Sequence, residues 1–288
     1  MMDDKTRREI DKVVEGTLKD AGLMEPPVKV GDLLQYLKVH RDFYDLEDPN
    51  LLRRFLHRVR VGKQKLIKIV NKVKLHAVWL PDEEMILVDE SLPDPKIEWA
   101  SFHDTTHRIL PWHRPFFLGD TAQTLDPDFQ EVLENEANYG ASALMFAGSI
   151  FTKDALDTAG NWESVTELKK KYKKSLVTTV RRYVEFGLDR AMVMVVSTPW
   201  WREKPLDQEV RIRHFVPSER FRKEFDNIGP DDILNKIDDH TRRRSGGLVG
   251  SFLFGLRNKN GVLHEFQAES FFNQHYLITL IVHQGKVT

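Results

Sequence analysis

Cysteine is absent from all 288 residues. That excludes disulfides, and with them zinc ribbons, thiolate sites and iron–sulfur clusters. Any metal held by this chain must sit on imidazole and carboxylate groups. Long apolar runs are missing too: the longest, residues 191–196, is far too short to cross a bilayer. No apolar stretch follows the opening Met-Met-Asp-Asp-Lys-Thr-Arg-Arg-Glu, so no secretory signal is read there and a cytoplasmic location is expected, with no membrane partner. Net charge is close to nil, at −1, and attraction to a polyanion would have to come from local patches. Internal repeats and low-complexity tracts are lacking as well. What is present is a 41% hydrophobic complement, enough for a core, and 30% charged residues, enough for a solvated surface. The length suits one large domain or two to three modest ones.

Apolar spacing at Ile10, Val13, Val14, Leu18 and Ala21 predicts a helix that Gly22 stops and Pro26-Pro27 keeps from continuing. Val30, Leu33, Leu34 and Leu37 predict a second, short one. Residues 75–80 and 85–88 read as strands joined by Pro81-Asp82-Glu83-Glu84 as a hairpin turn. Asp94-Pro95 offers an N-cap with proline at the first helical position, and Pro111 limits that helix to about Leu110. Asp126-Pro127 repeats the start signal ahead of a helix whose small residues, Ala137, Gly140 and Ala141, permit close approach to a neighbour. Residues 163–185 read as two short helices broken near Lys173-Lys174-Ser175, with Ser175 as the second cap. Beyond Ala191 the pattern turns to strands, at 192–196, 211–216, 248–256, 262–267 and 276–283. The class expected is α+β, with boundaries near 160 and 190.

His103-Asp104-Thr105-Thr106-His107 puts two imidazoles one helical turn apart on one face, where both can bind a single zinc ion. Eleven histidines give roughly 0.4 such pairs by chance, so spacing alone is weak and the surroundings must carry the reading. A carboxylate follows the first histidine, where a zinc hydrolase needs a general base. The apolar partners Trp99, Phe102, Ile109 and Leu110 suit a buried helix. On the next helix Glu134 can complete three protein ligands and leave one position open for water. Asn138, one turn on, can orient a ligating histidine through its second ring nitrogen. His113 competes as third ligand, since it lies six residues beyond His107 as in the extended H-E-x-x-H-x-x-G-x-x-H motif. That motif needs a glycine where this chain has Leu110, although Pro111 can break the helix instead.

The succession KIEWASFHDTTHRILPW, a spacer, then ENEANYGASALMF resembles the ImmA/IrrE family of bacterial and phage metallopeptidases. The matching positions are His103, His107, Glu134, Ala137 and Asn138, and the preceding hairpin and the helical pair over 165–184 resemble the family's arrangement as well. The resemblance spans about residues 25–190. It implies a minigluzincin-like metallopeptidase domain over 1–160, a helix-turn-helix segment over 161–190 and a β-rich, sensor-like C-terminal domain over 191–288. It further implies a Zn2+-dependent endopeptidase, with His103, His107 and Glu134 as ligands and Asp104 as catalytic base. Such enzymes cleave a helix-turn-helix repressor and so derepress phage, mobile-element or stress genes. Two positions depart from the pattern: Asp104 replaces glutamate, one methylene shorter, and Gly140 stands where phenylalanine is usual.

Two basic stretches remain. Residues 53–74 carry nine lysines and arginines with no acidic residue, and 169–182 carry seven more. Both read first as solvated faces. The first would otherwise dock an acidic protein surface. The second would contact DNA phosphate, with Thr178, Thr179, Arg181 and Arg182 facing a groove. The C-terminal aromatics Trp200, Trp201, Phe252, Phe254, Phe271 and Phe272 read mainly as core. Two rivals to the peptidase reading follow. One is a catalytically weak relative that keeps zinc and regulates by binding protein or DNA. The other is a helix-turn-helix DNA-binding protein whose zinc is structural.

Overall fold

Asp3 starts the first helix, α1 (Asp4–Asp20), by accepting the backbone N–H groups of Lys5 and Thr6 on its Oδ1 at 2.8 and 2.9 Å. Ile10, Val14 and Leu18 form its buried stripe. Gly22, at φ +69°, closes it with the Leu23 N–H on the Leu18 carbonyl at 2.8 Å, a left-handed turn that glycine enters without penalty. The computed structural model describes residues 2–44, 77–80, 84–114, 127–186, 189–199, 211–238 and 246–287. The basic stretch over 53–74, the tryptophans at 200 and 201 and most of the hairpin turn lie outside the described residues.

After α2 (Val30–Leu37) comes a three-stranded sheet. Strands β2 (Ala77–Leu80) and β3 (Met85–Asp89) pair antiparallel with Leu80 opposite Met85, as the hairpin pattern predicts. On the other side of β3 lies β1 (His40–Tyr44), parallel and in register from His40–Met85 to Tyr44–Asp89. Its sequence, His-Arg-Asp-Phe-Tyr, lacks the apolar alternation that marks a strand.

Helix α3 (Asp94–Ile109) carries the two histidines. Its N-cap is Pro93, not Asp94: the Pro93 carbonyl receives Lys96 N–H at 2.8 Å and Ile97 N–H at 3.1 Å, and no side chain caps the end. Pro111 stops it as expected, leaving Leu110 extended at ψ 109°. Arg108 ties the helix to the hairpin through Glu84. Helix α4 (Pro127–Met145) packs along α3 and α1, with Tyr139 donating to Asp11 at 2.9 Å. The helices come close at Gly140. A Cβ there would meet Thr106 Cγ2 at 2.4 Å and Ile10 Cγ2 at 3.3 Å.

By its backbone contacts the chain divides into two compact units, Met1–Phe151 and Thr152–Thr288, the division falling inside helix α5 (Ser149–Leu156). In the second unit α6 (Trp162–Tyr172) and α7 (Leu176–Phe186) form a helical hairpin. Lys173 turns the chain at φ 52°, and Ser175 Oγ accepts the Thr178 N–H at 3.2 Å. The hairpin belongs to the same unit as the sheet: Glu269 caps the Trp162 N–H at 2.7 Å, and the Trp162 ring stacks on Phe271.

That sheet has the order β5-β4-β8-β7-β6, with every neighbouring pair antiparallel. Its strands are β4 (Met192–Ser197), β5 (Ile212–Pro217), β6 (Gly247–Arg257), β7 (Leu263–Phe272) and β8 (Leu277–Lys286). Two short helices that the sequence reading missed, α8 (Glu219–Glu224) and α9 (Pro230–Asp238), interrupt the strands. They close the core with Phe221, Phe225, Ile233 and Ile237 against Val193, Val195, Phe266 and Ile281. Ser218 starts α8, accepting the Phe221 N–H and giving its hydroxyl proton to the Arg190 carbonyl. The class is α+β, and no described helix is long and apolar enough to cross a membrane.

The contact at Gly140 yields a stability test. Overpacking a core by a methyl group typically costs about 1–3 kcal/mol, while exchanging helical glycine for alanine returns about 1. Gly140→Ala is therefore expected to lower the unfolding free energy by up to about 2 kcal/mol in urea titrations. Thr106→Ser removes the offending methyl and keeps the hydroxyl bonded to the Phe102 carbonyl. In that background the loss should largely vanish. Equal losses in both backgrounds would mean that the two helices do not meet there.

Candidate metal centre

Helical spacing stacks His103 and His107 on the side of α3 that faces α4, and α4 brings Glu134 across to them. Glu134 Oε2 lies 3.2 Å from His103 Nε2, and its Oε1 lies 3.6 Å from His107 Nε2. One ligand atom from each of the three residues lies within 4.8 Å of the others. Burial is graded: the His107 side chain is 2% exposed, His103 18% and Glu134 57%, so the cluster opens to the surface on the α4 side.

Asp104 is buried beside them. Its Oδ1 approaches His103 at Nδ1, 3.8 Å away, and its Oδ2 has no hydrogen-bond partner among the described residues. Burial raises its pKa, against the pull of His103.

His113 does not join the triad but stands behind it. After Pro111 turns the chain, its Nδ1 lies 2.8 Å from His107 Nδ1 and its Nε2 lies 2.9 Å from Glu136 Oε2. Trp112 donates its indole N–H to the same Glu136 oxygen at 2.6 Å. Glu136 carries no sequence signal beyond its place two residues after Glu134. Asn138 lacks the expected role: it is exposed and makes no hydrogen bond to either histidine. Its side of α4 is solvent, because the buried side runs through Leu133, Glu136, Ala137, Gly140, Ala141 and Leu144.

The charges suit a cation. Burial alone would lower the His103 pKa, but the Asp104 and Glu134 carboxylates prevail and raise it to about 9. His107 is lowered to about 2 by burial and then by the neighbouring His103 and His113, so it stays neutral. Glu136 is lowered in spite of its burial, because the His113 and Trp112 N–H groups favour its charged form. Two imidazole nitrogens and a carboxylate are a donor set that zinc accepts, and the unpartnered buried Oδ2 of Asp104 is a polar atom with no structural satisfaction beside it. The residues fit the ion.

The second candidate site fits less well. On α7, Thr179 and Arg182 are buried, at 0% and 4% exposure, and the Arg182 guanidinium lies over the Phe186 ring. Neither can face a groove. Lys174 is buried as well, leaving Lys169, Lys170, Lys171, Lys173 and Arg181 as the exposed cations, with Lys171 paired to Asp154 and Arg181 to Glu185.

Zinc takes neutral imidazole, so binding at neutral pH must displace the His103 proton. Apparent zinc affinity is expected to rise about tenfold per pH unit from neutrality and to level off near pH 9, as read by competition with a chromophoric chelator. An affinity flat across that range would mean that binding displaces no His103 proton there.

No protein-family model matches this chain, and no curated protein matches it in sequence. Among solved structures, one titled Mycobacterium tuberculosis transcriptional regulator is similar over 97% of this chain and 78% of its own length, with a TM-score of 0.53 and 10% identity. At that identity the likeness is one of fold, and it extends over nearly the whole chain.

Proposed function

We propose that this protein is a zinc-dependent endopeptidase that regulates transcription in the cytoplasm by cleaving a helix-turn-helix repressor. The observation that carries the reading is a three-residue donor set within 4.8 Å with a buried carboxylate oxygen left unpartnered beside it. The resemblance to ImmA/IrrE peptidases and the transcriptional-regulator title of the similar fold agree with it. His103, His107 and Glu134 would hold the ion. Zinc in such a donor set supplies Lewis acidity, activating water near neutral pH and polarising a carbonyl. Asp104 takes the proton of the attacking water, directly or through one relay water, and returns it to the leaving amine. Its raised pKa suits both halves of that exchange. Exposure of Glu134 leaves the centre accessible to a macromolecular substrate.

The test is a cleavage time course on candidate repressors, with zinc content measured for every variant. About one zinc per chain is expected, largely lost in His103→Ala and Glu134→Ala. Asp104→Asn should retain zinc and lose about 10²–10⁴-fold in rate, the usual worth of a general base, whereas Asp104→Glu should match or exceed wild type. Equal cleavage by wild type and Asp104→Asn would rule out Asp104 as the base.

A specific observation favours a second reading, a zinc-containing regulator with little or no hydrolytic activity. Asp104 comes nearest to His103 at Nδ1, whereas Glu134 lies against Nε2. From there a short carboxylate orients the ring more readily than it reaches a water at the metal. Zinc retained by wild type and Asp104→Glu without cleavage of any candidate would establish this reading in place of the first. If DNA is then the partner, replacing Lys169, Lys170, Lys171 and Lys173 by glutamine should flatten the salt dependence of binding, through fewer counterions released. Arg182→Ala should instead lower the melting temperature.

A further inference from the structure

His113 and Glu136 have no place among the ligands, yet they are buried and joined in one hydrogen-bonded line with His107. With His113 taken as a neutral ring, the hydrogen-bond directions in that line follow from one fixed donor. Indole N–H only donates, so Glu136 Oε2 is an acceptor where Trp112 meets it at 2.6 Å. The same oxygen faces His113 Nε2 at 2.9 Å, and that nitrogen must therefore carry the proton. A neutral imidazole has one N–H, so His113 Nδ1 bears a lone pair. It faces His107 Nδ1 at 2.8 Å, which makes His107 Nδ1 the donor. The lone pair of His107 is then left on Nε2, the nitrogen turned toward Glu134 at 3.6 Å. With both rings neutral, reversing the His113–His107 link alone sets two N–H groups or two lone pairs against each other, and both rings are buried, at 2% and 0% exposure.

We infer that Glu136 and His113 are positioning residues that act through one another to fix the tautomer and ring orientation of His107, so that its Nε2 lone pair is presented to the ion before the ion arrives. A ligating histidine usually has its second nitrogen held by a carboxylate or carbonyl. Here the carboxylate acts one imidazole further back, and Trp112 anchors it. The affinity part of the inference rests on the metal reading proposed above; the tautomer part does not.

Two measurements on the full chain test it. In metal-free wild type, long-range 1H–15N correlation spectra should show His113 in the Nε2–H form and His107 in the Nδ1–H form. Mixed tautomers at either ring would overturn the inference. In the second measurement, His113→Phe keeps a ring of similar size but provides no acceptor, while His113→Gln provides a carbonyl. Zinc affinity by chelator competition should fall about 10–100-fold in His113→Phe, with His107 appearing in the Nε2–H form, and should largely recover in His113→Gln. Glu136→Gln, whose amide oxygen can take both N–H groups, should stay near wild type, and Glu136→Leu should resemble His113→Phe. Equal zinc affinity in wild type, His113→Phe and Glu136→Leu would overturn the inference, as would losses of equal size in the phenylalanine and glutamine variants. Wild type that shows the assigned tautomers but takes up no zinc would support the relay and refute the metal reading. Because the wild-type spectrum requires no substitution, a variant that fails to fold leaves the decision with that spectrum.

Discussion

The candidate centre depends on how closely two helices approach. α3 supplies both histidines and α4 supplies Glu134 and Glu136, so the donor set exists only at one helix separation. Gly140 sets it: the position faces Thr106, one residue before His107, with no room for a Cβ. Larger side chains on α4 would push it outward and spread ligand atoms that now lie within 4.8 Å. Phenylalanine, usual at this place in the family the sequence resembles, cannot be accommodated here. The exchange therefore alters the separation on which the donor set rests, and is more than a local packing difference. Tyr139 on Asp11 and the Gly140–Ile10 contact seat α4 on α1 as well, so the first helix also supports the site.

Much of this arrangement is legible in the chain because it follows from period and punctuation. The His103–His107 spacing, the stop at Pro111, the β2–β3 hairpin and the break at 173–175 are local signals, and each is found where its residues predict it. Elements that escaped prediction lack such signals. β1 is polar and draws its stability from pairing with β3. α8 is a single capped turn and a half, Glu-Arg-Phe-Arg-Lys-Glu, with one buried residue. Its helicity is a property of the Phe221 contact with the sheet core, which no short window contains.

Side-chain roles were harder to read than elements, for a related reason. Glu136 and Asn138 are both polar and both near Glu134, and the family pattern draws attention to Asn138. The helix decides otherwise. Residues 133, 136, 137, 140 and 144 share the packed side of α4, so Glu136 turns inward and Asn138 outward. The partner of Glu136 lies 23 positions earlier, beyond the reach of any spacing rule. The distance from His107 marks His113 as an alternative ligand, but the structure sets it behind the donor cluster, between His107 and Glu136, a distinction that spacing does not carry. On α7 the same difficulty arises: Thr179 and Arg182 look like a DNA-facing pair until the buried side, with Val180, Tyr183 and Val184, is seen to include them.

The aspartate at 104, one methylene shorter than the glutamate of the family pattern, acquires a physical meaning in place. Successive helical side chains diverge by about 100°, so with His103 directed at α4 the next residue turns into the interior. Glutamate has the length to return from there to the mouth of a site. Aspartate stays buried, at 6% exposure, with one oxygen near His103 Nδ1 and the other without a donor. A buried acceptor without a partner is destabilising by about 1–3 kcal/mol, and more where the group is charged. Among the described residues only His103 favours the charged group, whereas the neighbouring His107 is satisfied through two further residues. One histidine of the pair is thus held by a complete network and the other by an incomplete one. The exposed Glu134 stands at the other nitrogen of the His103 ring, so the open side of the cluster and the unpartnered oxygen lie on opposite edges of one imidazole. For Asp104 to act as a base that oxygen has to be brought to a water, which is the step that would join a binding site to a hydrolytic one.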